Sequence, residues 1–313
     1  MTSDPSRIWV LADPRAGTAA QPTGIAERLG LPFRTLHLTW GPWARIPWPF
    51  ASLLGLAPGA RAGVAPPWPR LVLAAGRRSA PVGFWLQARG ARLVLCMRAP
   101  GAGRADLQIL GRHDDPPERP NILPILGAAH RLTPAALVAG RAAFPAFGHL
   151  PMPRVALLIG GPVRAEGLDP ARAADLGRRV AGFAGSVLAT TSRRTGAAAT
   201  AGLSAALAGV PHHLHAFGAA GPNPLHGLMG WADAIVVTGD SVSMLSEALI
   251  SAVPLFVAPL GDEGHRHRAL HASLYAAGQA RPISAAPAPF DRAPRDETAR
   301  AAAEIRARGF LDV

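Results

Sequence analysis

The stretch "DAIVVTGDSVSMLSEALISAVPLFVAP", from Asp233 to Pro259, contains two short apolar runs separated by a segment of helical character. The runs "AIVV" and "LFVA" show no alternation of polar and apolar residues, which is typical of parallel strands covered on both faces. A strand, a helix and a second strand in this order predict one βαβ unit of a doubly wound sheet.

The same pattern recurs along the chain. Similar runs are "RIWVLAD", "LVLAAG", "ARLVLCM" and "DLQILG" in the first half, and "RVALLIGG", "GSVLATTS", "DAIVVTGD" and "PLFVAPL" in the second. The length of 313 residues suits two domains of about 150 residues each. We therefore predict an α/β fold with two Rossmann-like domains that face each other across a cleft, with the active site where strand carboxyl ends meet.

The predicted first domain spans residues 1–147 and the second spans residues 152–292. Between them lies the proline-rich segment "FPAFGHLPMPR", which indicates an interdomain linker. The last segment, residues 293–313, contains "RDETARAAAEIRARGF", whose early acidic and late basic residues favour a helix. We expect this helix to pack back on the first domain.

The net charge of +12 is carried by arginine alone, because the chain has no lysine. These arginines are scattered among alanine, glycine and proline, a bias that GC-rich coding explains as well as selection for polyanions. Zinc-finger spacing, aromatic RNA-binding motifs and dense basic runs are all missing, so nucleic acid is not an expected partner. An anionic membrane surface or an anionic substrate fits the charge better.

The cellular compartment is also predicted from the sequence. A single cysteine, Cys96, lies in the apolar run "RLVLCM", which excludes an internal disulfide and indicates a buried thiol in a reducing compartment. The start has no basic region followed by an apolar stretch, and no run of about 18 apolar residues occurs. We therefore expect a cytoplasmic protein, with any membrane contact at the inner face.

Hydroxyl groups crowd the turn and the first helical turn of the opening stretch. Ser241 and Ser243 stand where free backbone N–H groups form an anion site. The alternative is that Asp240 or Ser241 only caps the helix. Glu247 lies too deep in the helix for a capping box and has apolar neighbours. An ionised carboxylate beside a phosphate subsite suits a ribose diol, because it accepts from two hydroxyls at once.

Two loops of the second domain are further donor-site candidates. Gly160 and Gly161 end the strand in "LIGGPVR", where small residues let the backbone approach a pyrophosphate and Arg164 could neutralise it. A Gly-Gly pair is also common in ordinary turns. In the second loop, "TTSRRT", the candidates are Ser192, Arg193 and Arg194, which stand at the carboxyl end of a strand. They could bind a leaving diphosphate in place of a metal. The alternative is that the two arginines form only a solvated surface pair.

The first domain offers candidates for the acceptor. In "ADPRAG", Asp13 and Arg15 follow the first strand. Asp13 could act as general base on an acceptor hydroxyl, or it could cap the next helix. "AAGRRSAP" offers a second strand end with groups suited to an acceptor phosphate: Arg77, Arg78 and Ser79.

The loop "GRHDDPPERPN" brings His113 next to Asp114, which could form an acid/base pair. A metal site is not predicted, because no second cluster of histidine and carboxylate has ligand spacing. In "PHHLHAF", His213 and His215 alternate on one face of a strand. We expect them to contact the edge of a nucleobase or to have a structural role, rather than to bind zinc.

Several of these segments together resemble the elongated-mitochondria (mitochondrial fission ELM-like) family of GT-B glycosyltransferases. The matching segments are "VLADPRAGTAAQPTGIAERLG", "AAGRRSAP", "HDDPPERPNILPILGAAHRLTP", "LIGGP", "TTSRRTG" and "GPNPLHGLMGWADAIVVTGDSVSMLSEA". The last also resembles the donor region of the transferases related to the undecaprenyl-linked N-acetylglucosaminyl transferase, where a helix glutamate holds the uridine ribose.

The resemblance implies a GT-B fold and transfer of a sugar from a nucleotide donor to a cell-envelope or lipid-linked acceptor. It places the ribose on Glu247, favours a UDP-linked co-substrate without a further cofactor, and adds Asn223 to the donor site. One departure is Ala252, which stands where related sequences carry glycine. The sugar, the acceptor, the stereochemical outcome and the identity of the base are not predicted.

A peripheral membrane surface is a further expectation. "TWGPWARIPWPF" contains Trp40, Trp43 and Trp48 with Arg45, and indoles beside arginine suit a membrane interface. Packing of these tryptophans in the core or between domains is the alternative.

Two other functions compete with a transferase. A nucleotide-sugar epimerase of the same fold would turn over its donor without an acceptor. A catalytically silent adaptor on a membrane surface would keep its cellular role after substitution of Glu247 or Arg193.

Overall fold

The structure is a computed structural model that describes residues 7–162, 167–261 and 263–312. The chain divides into two units. The first unit consists of residues 1–131 together with 296–313, and the second consists of residues 132–295.

The first unit contains one sheet of six parallel strands. The strands are β1 (Ile8–Ala12), β2 (Arg34–His37), β3 (Leu71–Ala75), β4 (Arg92–Cys96), β5 (Leu107–Gly111) and β6 (Ile122–Ile125). The helices are α1 (Ala16–Leu29), α2 (Pro58–Ala62), α3 (Gly76–Gln87) and, from the end of the chain, α10 (Glu297–Ala307). The strand order β2-β1-β3-β4-β5-β6 reverses direction between β1 and β3.

Helices cover both faces of this sheet. On one face, Val10 and Leu73 pack with Ile25 of α1 and Ile305 of α10. On the other face, the alternate residues of the same strands pack with α3. Every residue of β1, β3 and β5 is buried, which explains why these strands have continuous apolar sequences.

The second unit also contains a sheet of six parallel strands. They are β7 (Arg154–Ile159), β8 (Ser186–Thr191), β9 (His212–His215), β10 (Ala234–Thr238), β11 (Leu255–Ala258) and β12 (Arg281–Pro282). The helices are α4 (Pro134–Ala143), α5 (Pro170–Ala181), α6 (Ala197–Leu207), α7 (Leu225–Trp231), α8 (Val242–Ala248) and α9 (His265–Ala276). The order β12-β11-β10-β7-β8-β9 reverses direction between β7 and β10.

The predicted α/β fold with two Rossmann-like units is confirmed, and all eight apolar runs form strands. The division between the units lies at Arg131 and Leu132, earlier than the predicted linker. The physical reason is that α4 packs on α7 of the second unit. At the contact, a Cβ on Gly140 would lie 2.5 Å from the His226 carbonyl carbon, so the two helix backbones touch.

Helix α10 packs against α1 of the first unit. Asp296 caps α10 by accepting from the Ala299 N–H at 2.8 Å, and its other oxygen pairs with Arg28 at 3.1 Å. The hydroxyl of the fully buried Thr298 accepts from the His130 N–H at 2.9 Å and donates to the His130 carbonyl at 3.1 Å. None of the helices in the described ranges combines the length and the hydrophobicity that a membrane span requires.

Thr298→Val should lower the free energy of unfolding by about 1–3 kcal/mol, because it leaves two buried backbone groups of His130 without this hydroxyl. Thr298→Ser keeps the hydroxyl and should lose less. Urea unfolding of the full chain measures the difference. Equal losses in both variants would show that the methyl group, and not the hydrogen bonds, stabilises the helix.

Candidate functional site

The reversal of strand order between β7 and β10 defines the candidate site in the second unit. At such a point the loops after the two strands leave in opposite directions and open a crevice at the carboxyl ends of the strands. The loop after β7 contains Gly160 and Gly161, and the loop after β10 contains Gly239 and Asp240. Because β8 lies beside β7, the loop that contains Arg194 also reaches this edge.

The carboxylate of Asp240 joins these three loops. Its Oδ2 accepts from the Gly161 N–H at 2.7 Å and from the Arg194 guanidinium at 3.0 Å. The neighbouring Gly160 N–H donates to the Thr238 hydroxyl at 2.7 Å. Asp240 is buried, and among the described residues its Oδ1 has no hydrogen-bond partner. The site therefore contains one buried carboxylate oxygen that can still accept a hydrogen bond.

Gly160 and Gly161 are required for this packing. A Cβ on Gly160 would lie 2.2 Å from Asp240 Oδ2, and a Cβ on Gly161 would lie 2.1 Å from the Arg194 carbonyl oxygen. Their N–H groups are already donated within the unit, so the two glycines bring the loops together and do not present free donors to a pyrophosphate. Arg164, considered with them, lies outside the described residues.

The loop after β8 separates its two arginines. Ser192 and Thr195 form a tight turn, in which the Thr195 hydroxyl accepts from the Ser192 N–H at 2.9 Å and the Ser192 hydroxyl accepts from the Arg194 N–H at 3.2 Å. Arg194 is directed to Asp240. Arg193 is exposed and lines a groove of about 640 Å³ together with Phe217. Arg193 is thus the more accessible cation for a ligand.

Ser241 is the N-cap of α8. Its hydroxyl accepts from the Met244 N–H at 3.3 Å, which is the capping role considered as the alternative. Ser243 is exposed in the first turn of α8. Ala252 does not adopt a positive φ, so alanine in place of glycine causes no strain there.

Glu247 lies near the end of α8, and among the described residues its carboxylate has no hydrogen-bond partner. Burial raises the pKa of this carboxyl from 4.5 to about 7. Just beyond, the carbonyl of Ala248 accepts from the buried Arg292 at 2.8 Å, and burial lowers the pKa of that guanidinium to about 10. A partly buried acid with a strongly perturbed pKa and no partner is a candidate ligand-binding group.

Asn223 precedes α7 and is exposed. Its Oδ1 accepts from the Leu225 N–H at 3.1 Å, so the side chain orders the turn that begins this helix. Within the described part of the chain, no hydrogen bond joins Asn223 to the groups around Asp240.

In the first unit, the strand order reverses beside Asp13. One Asp13 oxygen accepts from the Arg15 N–H at 2.8 Å and the other accepts from the Trp40 indole at 3.0 Å. Asp13 does not cap α1, whose N-cap is Arg15. Both oxygens already accept a hydrogen bond, and Trp40 is held at Asp13 and packs on the core of the unit.

The predicted acceptor residues differ in accessibility. Arg15 and Arg77 are exposed, and Arg78 is half-buried in the first turn of α3. Ser79 is fully buried, and its hydroxyl donates to the Ala75 carbonyl at 2.5 Å within the helix. The assignment of Ser79 to acceptor contact is wrong, because α3 begins at Gly76 and its buried face includes this hydroxyl.

His113 and Asp114 face each other after β5, with 3.9 Å between His113 Nε2 and Asp114 Oδ2. Both side chains are nearly buried. The imidazole packs so closely on Gly111 that a Cβ there would lie 2.1 Å from it. Among the described residues, no group of three histidine, cysteine or acidic side chains could hold a metal ion.

The structure thus brings together Gly160, Gly161, Arg194 and Asp240 of the predicted donor region. The central role of Asp240 was not predicted, since the sequence indicated only a helix cap for it. The signal that was available is the position of Asp240 after β10, beside the point where the strand order reverses.

Comparisons with known proteins agree with this architecture. A family model described as mitochondrial fission ELM1 matches residues 16–309. The mitochondrial fission protein ELM1 of Arabidopsis thaliana is 34% identical over 146 residues, which is 45% of this chain and 34% of that protein. The match therefore spans about a third of the length of this curated relative.

Two solved structures share the fold. The UDP-GlcNAc 2-epimerase of Methanocaldococcus jannaschii has a TM-score of 0.50 and 13% identity, covering 95% of this chain and 92% of its own. A Listeria monocytogenes protein named for the same activity has a TM-score of 0.50 and 14% identity, covering 99% and 89%. At these identities the likeness concerns the fold, and it confirms the predicted GT-B-like class of two Rossmann-like units.

Gly160→Ala and Gly161→Ala should each lower the free energy of unfolding by about 1–3 kcal/mol, because the added Cβ collides with Asp240 or the Arg194 backbone. Gly209→Ala is the matched control, since nothing lies within 4 Å of its Cβ position. Urea unfolding of the full chain measures all three. Losses no larger than that of the control would contradict the close approach of these loops.

Glu247→Gln should stabilise the protein at pH 8 by about 1–3 kcal/mol. Between pH 4.5 and 7 the folded state holds a proton that the unfolded state has released, so wild-type stability falls as pH rises through this range. The glutamine stays neutral and avoids this loss, and the advantage should vanish near pH 4.5. Thermal melting at several pH values measures it, with the exposed Asp175→Asn as control. A constant difference at all pH values would contradict the raised pKa.

Proposed function

The chain belongs to the mitochondrial fission ELM1 family, and from that premise we propose that it is a glycosyltransferase that uses a nucleotide-sugar donor. The second unit binds the donor at the carboxyl ends of β7, β8 and β10. The acceptor is a lipid-linked or cell-envelope hydroxyl compound, and the reaction takes place on the cytoplasmic side of a membrane.

The observation that carries this proposal is the carboxylate of Glu247. The side chain is half-buried in α8, and none of the described residues donates a hydrogen bond to the carboxylate. Burial raises its pKa to about 7, so near neutral pH about half of the molecules hold the charged form. A ribose diol offers two O–H donors to one carboxylate and would stabilise that form.

The arginines of the loop after β8 support binding of the donor's diphosphate at this edge of the sheet. When the bond between the sugar carbon and the diphosphate oxygen breaks, negative charge grows on the diphosphate. Arg193 is exposed and able to bind it, whereas Arg194 is held by Asp240 and can offer its remaining N–H groups. Guanidinium groups fixed in this way can stabilise the leaving group without a metal ion.

The free Oδ1 of Asp240 adds a group for the sugar. It is buried at the same edge, and a donor hydroxyl that reached it would satisfy the remaining acceptor. This role would select sugars with a hydroxyl in the matching position. The carboxylate of Asp240 can lie beside a diphosphate because Arg194 balances its negative charge.

The acceptor requires a base in the first unit. Asp13 is the better candidate, because it lies where the strand order of the first sheet reverses and each of its oxygens accepts only one hydrogen bond, whereas the His113 side chain is 1% exposed. The Asp13 carboxylate would take the proton of the acceptor hydroxyl as the new bond to the sugar forms.

The affinity for UDP-GlcNAc, as the probe, should rise about tenfold between pH 6 and pH 8, because only the ionised Glu247 accepts from both ribose hydroxyls. The diphosphate of a nucleotide sugar does not titrate in this range. In Glu247→Gln the affinity should be weaker and nearly independent of pH. Titration calorimetry over this range provides the measurement. An identical pH profile in the two proteins would remove Glu247 from the site.

A second experiment separates the competing functions. A panel of UDP, GDP, CDP, ADP and dTDP sugars is incubated with the protein, with and without lipid-phosphate acceptors, and the products are followed by mass spectrometry. Arg193→Gln should lose most of the turnover, whereas Arg178→Gln, an exposed arginine of α5, should not. Donor conversion without any acceptor would favour the epimerase. Absence of binding by every nucleotide sugar would favour the silent adaptor.

A further inference from the structure

The first unit presents a concentrated apolar surface to solvent between Pro42 and Leu54, here named the apolar loop. Trp43 is 57% exposed, Ile46 41%, Phe50 47% and Leu54 50%. These four are half of the eight large hydrophobic side chains that are exposed in the described part of the chain. Isolated exposed side chains are ordinary, but four in one short segment mark an interaction surface.

The apolar loop is held firmly at its base. The Gly41 N–H donates to the Gly55 carbonyl at 2.9 Å, and the Ser52 N–H donates to the Pro81 carbonyl at 3.1 Å. At the exposed end, the Trp48 ring packs edge-on against Phe50 with 5.2 Å between centroids. The exposed side chains therefore stand on an ordered loop, in which Ala44 is buried, as is Leu56 just after the loop.

The segment of the chain that contains the apolar loop is basic. Between Glu27 and Asp106 the sequence contains no acidic residue and eleven arginines. Within the described residues, Arg45 lies in the apolar loop and is exposed, and the exposed Arg61 donates to the Leu56 carbonyl at 3.3 Å. An apolar surface inside a strongly basic region complements a surface that is apolar within and negative at its boundary.

A basic groove of about 510 Å³ adjoins the apolar loop. It is lined by Arg77, Arg98 and Arg119 together with Gly101, and no acidic side chain is part of the described lining. Gly101 touches the apolar loop, since a Cβ at Gly101 would lie 2.3 Å from the Pro49 carbonyl oxygen. Guanidinium groups bind phosphate oxygens by paired N–H donors. The groove can thus hold phosphate groups next to the inserted apolar side chains.

We propose that this surface docks on an anionic phospholipid bilayer, with Trp43, Ile46, Phe50 and Leu54 in the interfacial layer and the arginines of the groove on lipid phosphates. Burial of indole and aliphatic groups supplies affinity, and arginine supplies the preference for negative lipids. The proposal does not depend on the transferase activity, because it requires neither a sugar donor nor an acceptor.

Vesicle co-sedimentation of the full chain tests it, with phosphatidylcholine alone and with an equimolar mixture of phosphatidylcholine and phosphatidylglycerol. The wild type should bind the anionic vesicles at least about tenfold more tightly, and added salt should weaken that binding. Trp43→Ser with Phe50→Ser and Leu54→Ser should lose about tenfold or more in affinity. Val138→Ser with Met152→Ser is the matched control, since both side chains are exposed in the second unit.

The groove is tested separately. Arg77→Gln with Arg98→Gln and Arg119→Gln should abolish the preference for anionic vesicles. Soluble glycerophosphate should not compete, because it offers the phosphate without the bilayer; full competition would show a free-phosphate site and overturn the membrane assignment.

A third measurement does not rely on disrupting the apolar loop. Brominated lipids should quench tryptophan fluorescence of bound wild type, and Trp43→Phe should bind equally well with clearly less quenching. Undiminished quenching in this variant would place the contact elsewhere. Equal vesicle binding by the triple serine variant and the control, or dimerisation that needs the same residues without vesicle binding, would overturn the proposal.

Discussion

The carboxylate of Asp240 is the constraint on which the candidate site depends. It is buried at the carboxyl edge of the second sheet and joins the loops after β7, β8 and β10 through Gly161 and Arg194. A buried charge without a counterion is strongly unfavourable, so Arg194 and the backbone N–H are conditions for placing it there. Glycine at positions 160 and 161 follows from the same constraint, because any Cβ would collide with this arrangement.

The sequence predicted a strand well where the strand is buried on both faces of the sheet and paired on both edges. The eight strands predicted from apolar runs all form, because continuous burial requires continuous apolar sequence. The edge strands gave a weaker signal: β2 and β12 are largely exposed, and proline interrupts β6. For β9, only the alternation of His213 and His215 was visible. An edge strand pairs on one side only, so its sequence is less restricted.

The sequence predicted which loops the site residues occupy, but it predicted less well which groups those residues contact. The order of strands and loops placed Gly160, Arg194 and Ser241 at carboxyl ends, which a sequence can indicate through its periodicity. Which groups remain available to a ligand is decided by partners far away in the chain. Gly161 and Asp240 are 79 residues apart, and their hydrogen bond removes an N–H that the sequence had left free. The same applies to Ser79, whose hydroxyl is satisfied within α3.

Asp240 and Glu247 are two acids of one short segment that differ in their surroundings. Asp240 is stabilised by Arg194 and a backbone N–H, whereas Glu247 has no such partner among the described residues and its pKa rises to about 7. Asp240 therefore holds the loops together through Oδ2 and keeps only Oδ1 for a ligand, whereas Glu247 keeps its whole carboxylate for one. By linkage, a ligand that hydrogen-bonds to the charged form must expel the proton, releasing about half a proton per molecule near pH 7. Ligand binding at Glu247 is thus coupled to proton release, because burial raises the pKa of this carboxyl and leaves a proton to be released.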